Sequence, residues 1–201
     1  MKLKTNLIVE IAIIGALAFA LDAFQGGITR GLFPNGGSIG IAILPILIIS
    51  FRRGTKAGLL SALILSFLQL LGGIFLSANS WYMMILQLML DYILAYPLVS
   101  ISGLFHKAFQ KSNSQKQKIT YLIIGTIIGG LAKLLCHILA GIIFWSSSTP
   151  DNYIGGPIVF SIVYNSSYMI PNIIINGIIL CILGTKVDRL FKPFDGGTTY
   201  E

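Results

Sequence analysis

Long apolar runs separated by short polar or basic segments are the feature that most constrains how this chain can fold. A helix needs about 20 predominantly apolar residues to cross a bilayer. Charged residues make up 10% of the chain, against roughly 25% in soluble domains. The sequence therefore predicts an all-α membrane protein, with a single integral-membrane domain over residues 1–201 and six transmembrane helices in a single bundle. The predicted spans are about 6–24, 38–51, 57–76, 81–105, 119–146 and 157–185.

The distribution of basic residues predicts how this bundle is oriented. Cytoplasmic loops carry an excess of lysine and arginine, and the remaining connecting segments here carry only Arg30, no charge, and Asp151. Both termini are therefore predicted to be cytoplasmic. The net charge of +7 is explained by these signals, so the predicted partner is the lipid bilayer and not a nucleic acid. The basic clusters are Lys2 with Lys4, and the segments 52–56, 107–118 and 186–192.

A single carboxylate, Asp91, lies in the middle of the fourth apolar run. At about 1.5 Å per helical residue, Asp91 lies ~15 Å inward from Trp81 at the outer edge, and His137 lies ~12 Å inward from Trp145. Asn165 has a similar depth in the last run. Ionisable groups at membrane depth mark functional sites by default. The sequence therefore predicts a pocket for a small organic cation that opens to the outside.

Two interpretations of Asp91 remain open at this point. Polar residues inside membranes usually pair with one another, and Lys133, one helical turn from His137, is a candidate partner for the carboxylate. Alternatively, Asp91 faces a positive charge on a ligand, with Tyr92 beside it. Such a pocket needs further hydrogen bonds, because both ions lose their hydration.

Aromatic and polar groups in the last two runs could complete the pocket. His137 and Trp145 share a helix face and fit an aromatic cage, in which desolvated cation–π contacts are worth about 2 kcal/mol or more. Taken alone, His137 would be interpreted as a core histidine and Trp145 as an interfacial anchor. The polar segment 160–172 adds Phe160, Tyr164 and Asn165, whose amide both donates and accepts. Its serines are also explained by helix packing.

Three alanines, Ala12, Ala16 and Ala20, recur at four-residue spacing on the first run. Small residues at this spacing permit close helix contact, either within the bundle or with another membrane subunit. The sequence contains no phosphate-binding loop of the ATPase type, no nucleophile elbow and no zinc helix. It therefore predicts a non-catalytic protein with no ATPase activity of its own, and no metal or cofactor.

Taken together, these motifs resemble the thiamine-specific S component of energy-coupling factor transporters. The resemblance extends from the first run to the sixth. The motifs that carry it are Ala16-x-x-x-Ala20, Pro34-Asn35-Gly36-Gly37-Ser38-Ile39, Leu44-Pro45-Ile46, Arg52-Arg53-Gly54-x-Lys56-x-Gly58, Gln87-x-x-x-Asp91-Tyr92, His137-x-x-x-Gly141-x-x-Phe144-Trp145 and Tyr164-Asn165.

The resemblance implies a six-helix membrane protein that captures thiamine outside the cell and works with a transmembrane coupling subunit and two ATPase subunits. It implies that Asp91, where the family commonly has a glutamate, faces the thiazolium. It assigns His137, Trp145 and Asn165 to the pocket. Phe160 stands at a tyrosine position of the family, and Leu65 at an aromatic one. The docking face for the coupling subunit is implied at Ala16 and Ala20.

A second function remains open at this stage, a self-sufficient secondary carrier in which Asp91 and His137 relay protons. Such carriers usually show internal repeats and helices broken in both halves, and no repeat of this kind is found in the chain. A membrane enzyme would need a reactive constellation that the sequence does not contain.

Overall fold

The structure, a computed structural model, describes residues 5–193. In that range the chain forms helices and connecting loops without a β-strand, which confirms the all-α class. Lys2 and Lys4 lie outside the described residues. The α-helices are α1 (Thr5–Thr29), α2 (Leu44–Arg53), α3 (Thr55–Gly72), α4 (Trp81–Leu88), α5 (Ala95–Leu98), α6 (His106–Lys111), α7 (Gln115–Phe144) and α8 (Gly156–Lys186). A π-helical segment covers Met89–Leu94, and 3₁₀ turns cover Arg30–Leu32, Val99–Phe105, Ser146–Ser148 and Asp188–Phe191.

Five helical stretches within residues 5–193 are long and apolar enough to cross a membrane. They match five of the six predicted spans. The third of the five stretches joins α4, the π-helical segment, α5, a 3₁₀ turn and α6 over 31 residues. The stretches are Thr5–Leu32, Thr55–Gly72, Trp81–Lys111, Gln115–Phe144 and Gly156–Lys186.

The remaining predicted span, 38–51, differs from the observed structure. Its helix, α2, begins only at Leu44 and has ten residues, about 15 Å of helix. Gly36 and Gly37 have φ values of 91° and 112°, a backbone conformation that ends any helical run. Pro45 then falls at the start of α2, where a missing N–H is tolerated.

The non-helical backbone before α2 is bonded by side-chain amides from two other helices. Asn172 of α8 accepts from the Gly40 N–H at 2.6 Å and donates to the Ser38 carbonyl at 2.7 Å. Gln25 of α1 accepts from the N–H groups of Ile41 and Ala42, at 2.6 and 3.0 Å. Irregular backbone at membrane depth occurs only where protein or water satisfies it. These amides therefore permit a loop at this position.

Buried aromatic rings and a charged cluster lie at one end of the bundle, called the base, and the polar groups that line a cavity lie at the other, called the polar end. Phe51, Phe109 and Phe191 form the base. The ring centroid of Phe109 lies 5.5 Å from that of Phe51 and 5.3 Å from that of Phe191. Near this base Glu10 of α1 bridges Arg52 and Arg53 of α2, at 2.7 and 2.8 Å. This inner cluster (Glu10, Arg52, Arg53) fixes the start of α1 against the end of α2.

Candidate functional site

A cavity at the polar end of the bundle is enclosed by α1, α3, the π-helical segment, α7 and α8, with the loop 33–43 and Phe75 over it. The structure places all seven side chains that the sequence assigned to a pocket on the wall of this cavity. They are Asp91, Tyr92, His137, Trp145, Phe160, Tyr164 and Asn165.

The Asp91 carboxylate is bonded on one side to His137. Asp91 Oδ1 lies 3.1 Å from His137 Nδ1, and both side chains are largely buried, at 15% and 13% exposure. When the neutral imidazole carries its proton on Nδ1 and donates to Asp91, Nε2 is left as an acceptor. Asp91 Oδ2 has no partner among residues 5–193. The arrangement leaves one carboxylate oxygen and one imidazole nitrogen for a ligand.

Lys133 does not pair with Asp91, so that alternative is not what the structure shows. Its Nζ lies 3.6 Å from the centroid of the Tyr96 ring, and no carboxylate of the described chain lies within 4 Å of it. The residue is 6% exposed and lines the cavity. A cation–π contact partly offsets the loss of hydration, but the three N–H donors of the ammonium remain available for a ligand acceptor.

The hydroxyl groups of two predicted site residues, Tyr164 and Tyr92, are engaged within the protein. The Tyr164 hydroxyl accepts from the Asn35 N–H and donates to the Gly36 carbonyl, both at 2.9 Å. The Tyr92 hydroxyl accepts from the Phe75 N–H at 2.9 Å. Both tyrosines line the cavity. Their hydroxyl groups bind the backbone at Asn35, Gly36 and Phe75, in the loops that cover it.

Asn165 is engaged in a similar way. Its Nδ2 donates to the Ser161 carbonyl at 2.9 Å, and its Oδ1 accepts from the Tyr168 hydroxyl at 2.6 Å. An amide oxygen has two lone pairs, so one acceptor position remains. The Asn165 amide also donates to Ser161 Oγ at 3.2 Å, so both of its amide hydrogens have partners within α8.

Aromatic rings form the outer wall of the cavity. Phe160 packs between Tyr164, at 5.7 Å between ring centroids, and Tyr153, at 5.2 Å. Trp145, half-buried at the end of α7, lines the same cavity. These rings supply apolar surface and π faces without adding polar groups that a ligand would have to satisfy.

A second carboxylate at the cavity escaped the sequence-based interpretation. Asp22 of α1 is 3% exposed and forms a salt bridge with Arg30 at 2.8 Å. Gln25 donates to its other oxygen at 3.3 Å. The signal was present, because Asp22 falls inside the predicted first span and an ionisable residue there marks a site by the same rule as Asp91. Unlike Asp91, Asp22 is paired with a permanent cation.

The three alanines predicted as a docking face lie together on α1. Ala12, Ala16 and Ala20 are all exposed on the outer surface of the bundle. Their neighbours Ile13 and Leu17 are also exposed, at 60% and 46%. Within the described residues, this face of α1 is thus not used for internal packing.

Comparisons with known proteins agree with one another over almost the whole chain. The family model described as "Thiamine transporter protein (Thia_YuaJ)" matches residues 8–192. This chain belongs to that family. The thiamine transporter ThiT of Bacillus subtilis (strain 168) is 37% identical over 192 residues, which cover 92% of this chain and 93% of the relative. ThiT of Lacticaseibacillus paracasei is 29% identical over 197 residues, covering 94% and 92%.

A solved structure gives the same result for the fold. ThiT from Listeria monocytogenes has a TM-score of 0.79 and 30% sequence identity, covering 93% of this chain and 97% of that one. Membership of the Thia_YuaJ family, together with five helices long and apolar enough to span, makes this chain a multi-pass membrane protein.

Proposed function

We propose that this protein binds thiamine in the cavity, from the extracellular side, and delivers it for uptake as the substrate-capturing subunit of an importer of the energy-coupling factor type. The observation that carries the proposal is an incompletely bonded carboxylate, Asp91, in an aromatic-lined cavity of a member of the thiamine transporter family. Thiamine matches such a site, because its thiazolium ring is a permanent cation and its aminopyrimidine ring is a flat heterocycle with both donors and acceptors.

The thiazolium is placed against the free side of Asp91. Attraction between opposite charges is strong where water is excluded, but it must offset the desolvation of both ions. The His137 hydrogen bond stabilises the carboxylate before the ligand arrives. Trp145 adds a π face, on which a desolvated cation gains about 2 kcal/mol. Charge and aromatic stacking together favour a cationic ring over a neutral one.

The aminopyrimidine is placed against the remaining polar groups. His137 Nε2 and the second lone pair of Asn165 Oδ1 accept from the exocyclic amine, and Lys133 Nζ donates to a ring nitrogen or to the hydroxyl of the ligand. Tyr164 and Phe160 contribute ring surface. Asp91, His137, Asn165 and Lys133 then each have a partner in the bound ligand, as buried polar groups require.

The six-span topology and the cytoplasmic termini belong to the same proposal. The ten residues of α2 reach about 15 Å, about half of the roughly 30 Å hydrocarbon core. The loop before α2, held by the amides of Gln25 and Asn172, completes the second crossing in this proposal. Basic residues 52–56 then fall on the same side as the base of the bundle and residues 186–192, as the positive-inside rule requires.

Energy for uptake comes from partner chains in this proposal. The sequence has no phosphate-binding loop of its own, and the exposed alanine face of α1 allows close approach of another membrane helix. A transmembrane coupling subunit docks at Ala12, Ala16 and Ala20, and two ATPase subunits attached to it hydrolyse ATP.

Isothermal titration of the purified full-length chain with thiamine tests the substrate. The wild type is expected to bind one thiamine. Asp91→Asn should bind far more weakly, and Asp188→Asn, a carboxylate outside the cavity, should bind like the wild type. Absence of binding by a protein that melts cooperatively would defeat the proposal.

The Asp91–His137 hydrogen bond also supports the alternative of a proton-coupled secondary carrier for a small organic cation. Liposomes that contain this chain alone separate the two functions. Thiamine accumulation driven by a proton gradient would favour the carrier. Accumulation only with partner subunits and ATP would favour the coupled importer.

A further inference from the structure

Asp91 lies in a π-helical segment, Met89–Leu94, within the long helical stretch Trp81–Lys111. The i→i+5 bonds of a π-helix accommodate about one extra residue per turn. At about 100° per residue, Asp91 and Tyr96 would project about 140° apart in an unbroken α-helix, and one inserted residue reduces this to about 40°. Both side chains line the cavity. The π-helical segment therefore brings the carboxylate and the ring under Lys133 to the same wall.

Such a segment needs a partner for its backbone, since the membrane interior offers no water to unpaired carbonyls. Pro97 has no N–H and cannot donate to the carbonyl of Tyr92, five residues before it. Ser66 of α3 donates instead, with its Oγ 2.9 Å from the Tyr92 carbonyl oxygen. The Ser66 side chain is fully buried and does not line the cavity.

The Ser66 hydroxyl differs from an ordinary buried serine hydroxyl of this protein. Ser50 of α2 is also fully buried, and it donates to the Ile46 carbonyl of its own helix at 2.6 Å. Ser66 makes the equivalent contact to its own helix, with the Ala62 carbonyl at 2.9 Å, and shares its proton with the Tyr92 carbonyl of another. Ser50 is therefore a matched control, because its hydroxyl donates to its own helix but not to a neighbouring helix.

We propose that Ser66 is a positioning residue for the ligand cavity. Through the Tyr92 carbonyl it holds the π-helical segment, and that segment sets the direction in which the Asp91 carboxylate meets a bound cation. The inference rests on the proposed function, because it concerns recognition of a cationic ligand at Asp91. It goes beyond that function in assigning a role in recognition to a side chain that does not reach the ligand.

The test is titration of the purified full-length chain with thiamine in four variants. Ser66→Ala is expected to lower affinity about tenfold, the scale of one hydrogen bond between membrane helices. Ser50→Ala should stay within about twofold of the wild type, and Ser66→Thr, which keeps the hydroxyl, should retain most of the affinity. In an Asp91→Asn background, Ser66→Ala should cause almost no further loss, because residues that act through one contact are not additive.

Two results would overturn the positioning role alone: Ser66→Ala binding as well as Ser50→Ala, or an equal loss with and without the Asp91 carboxylate. Should Ser66→Ala fail to fold, Ser66→Cys, of similar size with a weaker donor, is measured against the same criteria. A folded wild type that binds no thiamine would overturn the proposed function together with this inference.

Discussion

The charge cluster at the base of this helical bundle and the Asp91 carboxylate at the cavity are paired in opposite ways. At the base, Glu10 lies within 3 Å of both Arg52 and Arg53. At the cavity, Asp91 keeps an unpaired oxygen, and Lys133 rests on a ring with no carboxylate within 4 Å among residues 5–193. A carboxylate whose charge is balanced by guanidinium groups of the same chain contributes to the fold. One left partly bonded requires a partner from outside. Under the proposed function, the cluster at the base stabilises the fold and Asp91 binds the ligand.

The largest expected effect is on stability and comes from breaking the inner cluster. Glu10→Gln keeps the shape of the side chain but removes the charge that Arg52 and Arg53 share. Breaking a buried pair costs about 3–5 kcal/mol, so the melting temperature should fall steeply. Thiamine affinity of the folded fraction should not change. The check is thermal unfolding and titration of the same preparation, and a loss of affinity with unchanged stability would reverse the assigned roles.

The complementary change, Asp91→Asn, should act on binding and not on stability. Asn retains an oxygen acceptor for His137 Nδ1, so only the charge is removed. Losing one partner of a buried charge pair costs about 3 kcal/mol, roughly 100-fold in affinity. The melting temperature of the empty protein should stay the same or rise, because an incompletely paired charge has been neutralised. A large fall in melting temperature would place Asp91 with the structural charges.

A smaller effect is expected from the aromatic wall. Trp145→Leu removes a π face and should weaken thiamine binding by about 2 kcal/mol, roughly 30-fold. Trp81→Leu is the matched control, since Trp81 is 75% exposed and does not line the cavity. Titration of both variants decides the point, and equal losses would show that Trp145 acts as a membrane anchor.

The smallest effect is expected at Asp188, outside the spans. The Lys192 ammonium, and with it Lys118, holds the pKa of this carboxyl below its ordinary value. A lowered pKa in the folded state adds stability above the unfolded value of about 3.9, and this is lost as the pH falls through the folded value. The side chain is 43% exposed, so Asp188→Asn should cost under about 1 kcal/mol. Unfolding at pH 7 and pH 3 should show a larger difference between Asp188→Asn and the wild type at pH 7 than at pH 3.

Much of this organisation could be predicted from residue patterns, because membranes impose simple rules. Five spans follow from apolar length alone, and shared depth brought Asp91, His137 and Asn165 onto one cavity. The helix of the predicted span 38–51 could not be placed, because its start depends on amides of Gln25 and Asn172 from distant helices. Local patterns do not record such partners.

Hydrogen-bond partners within the cavity were equally beyond prediction. The pairing of Asp91 with His137 instead of Lys133 depends on the rotation of two helices about their axes. The π-helical segment that sets one of these rotations has no composition signal beyond Pro97. Asp22 is a different case, since the rule that singled out Asp91 also applied to it. The depth of a residue in the membrane can thus be predicted from the sequence, whereas the direction in which its side chain points cannot.

The central claim, that Asp91 is left partly bonded in order to meet a ligand cation, is tested most directly by charge discrimination. The measurement compares the affinity of the wild type and of Asp91→Asn for thiamine and for an analogue whose thiazolium is replaced by a neutral ring of the same shape. The wild type should prefer thiamine strongly, and Asp91→Asn should lose roughly 100-fold of that preference, keeping only the part that the cation–π contact with Trp145 supplies. Equal affinities in the wild type, or the same preference in both proteins, would contradict the claim.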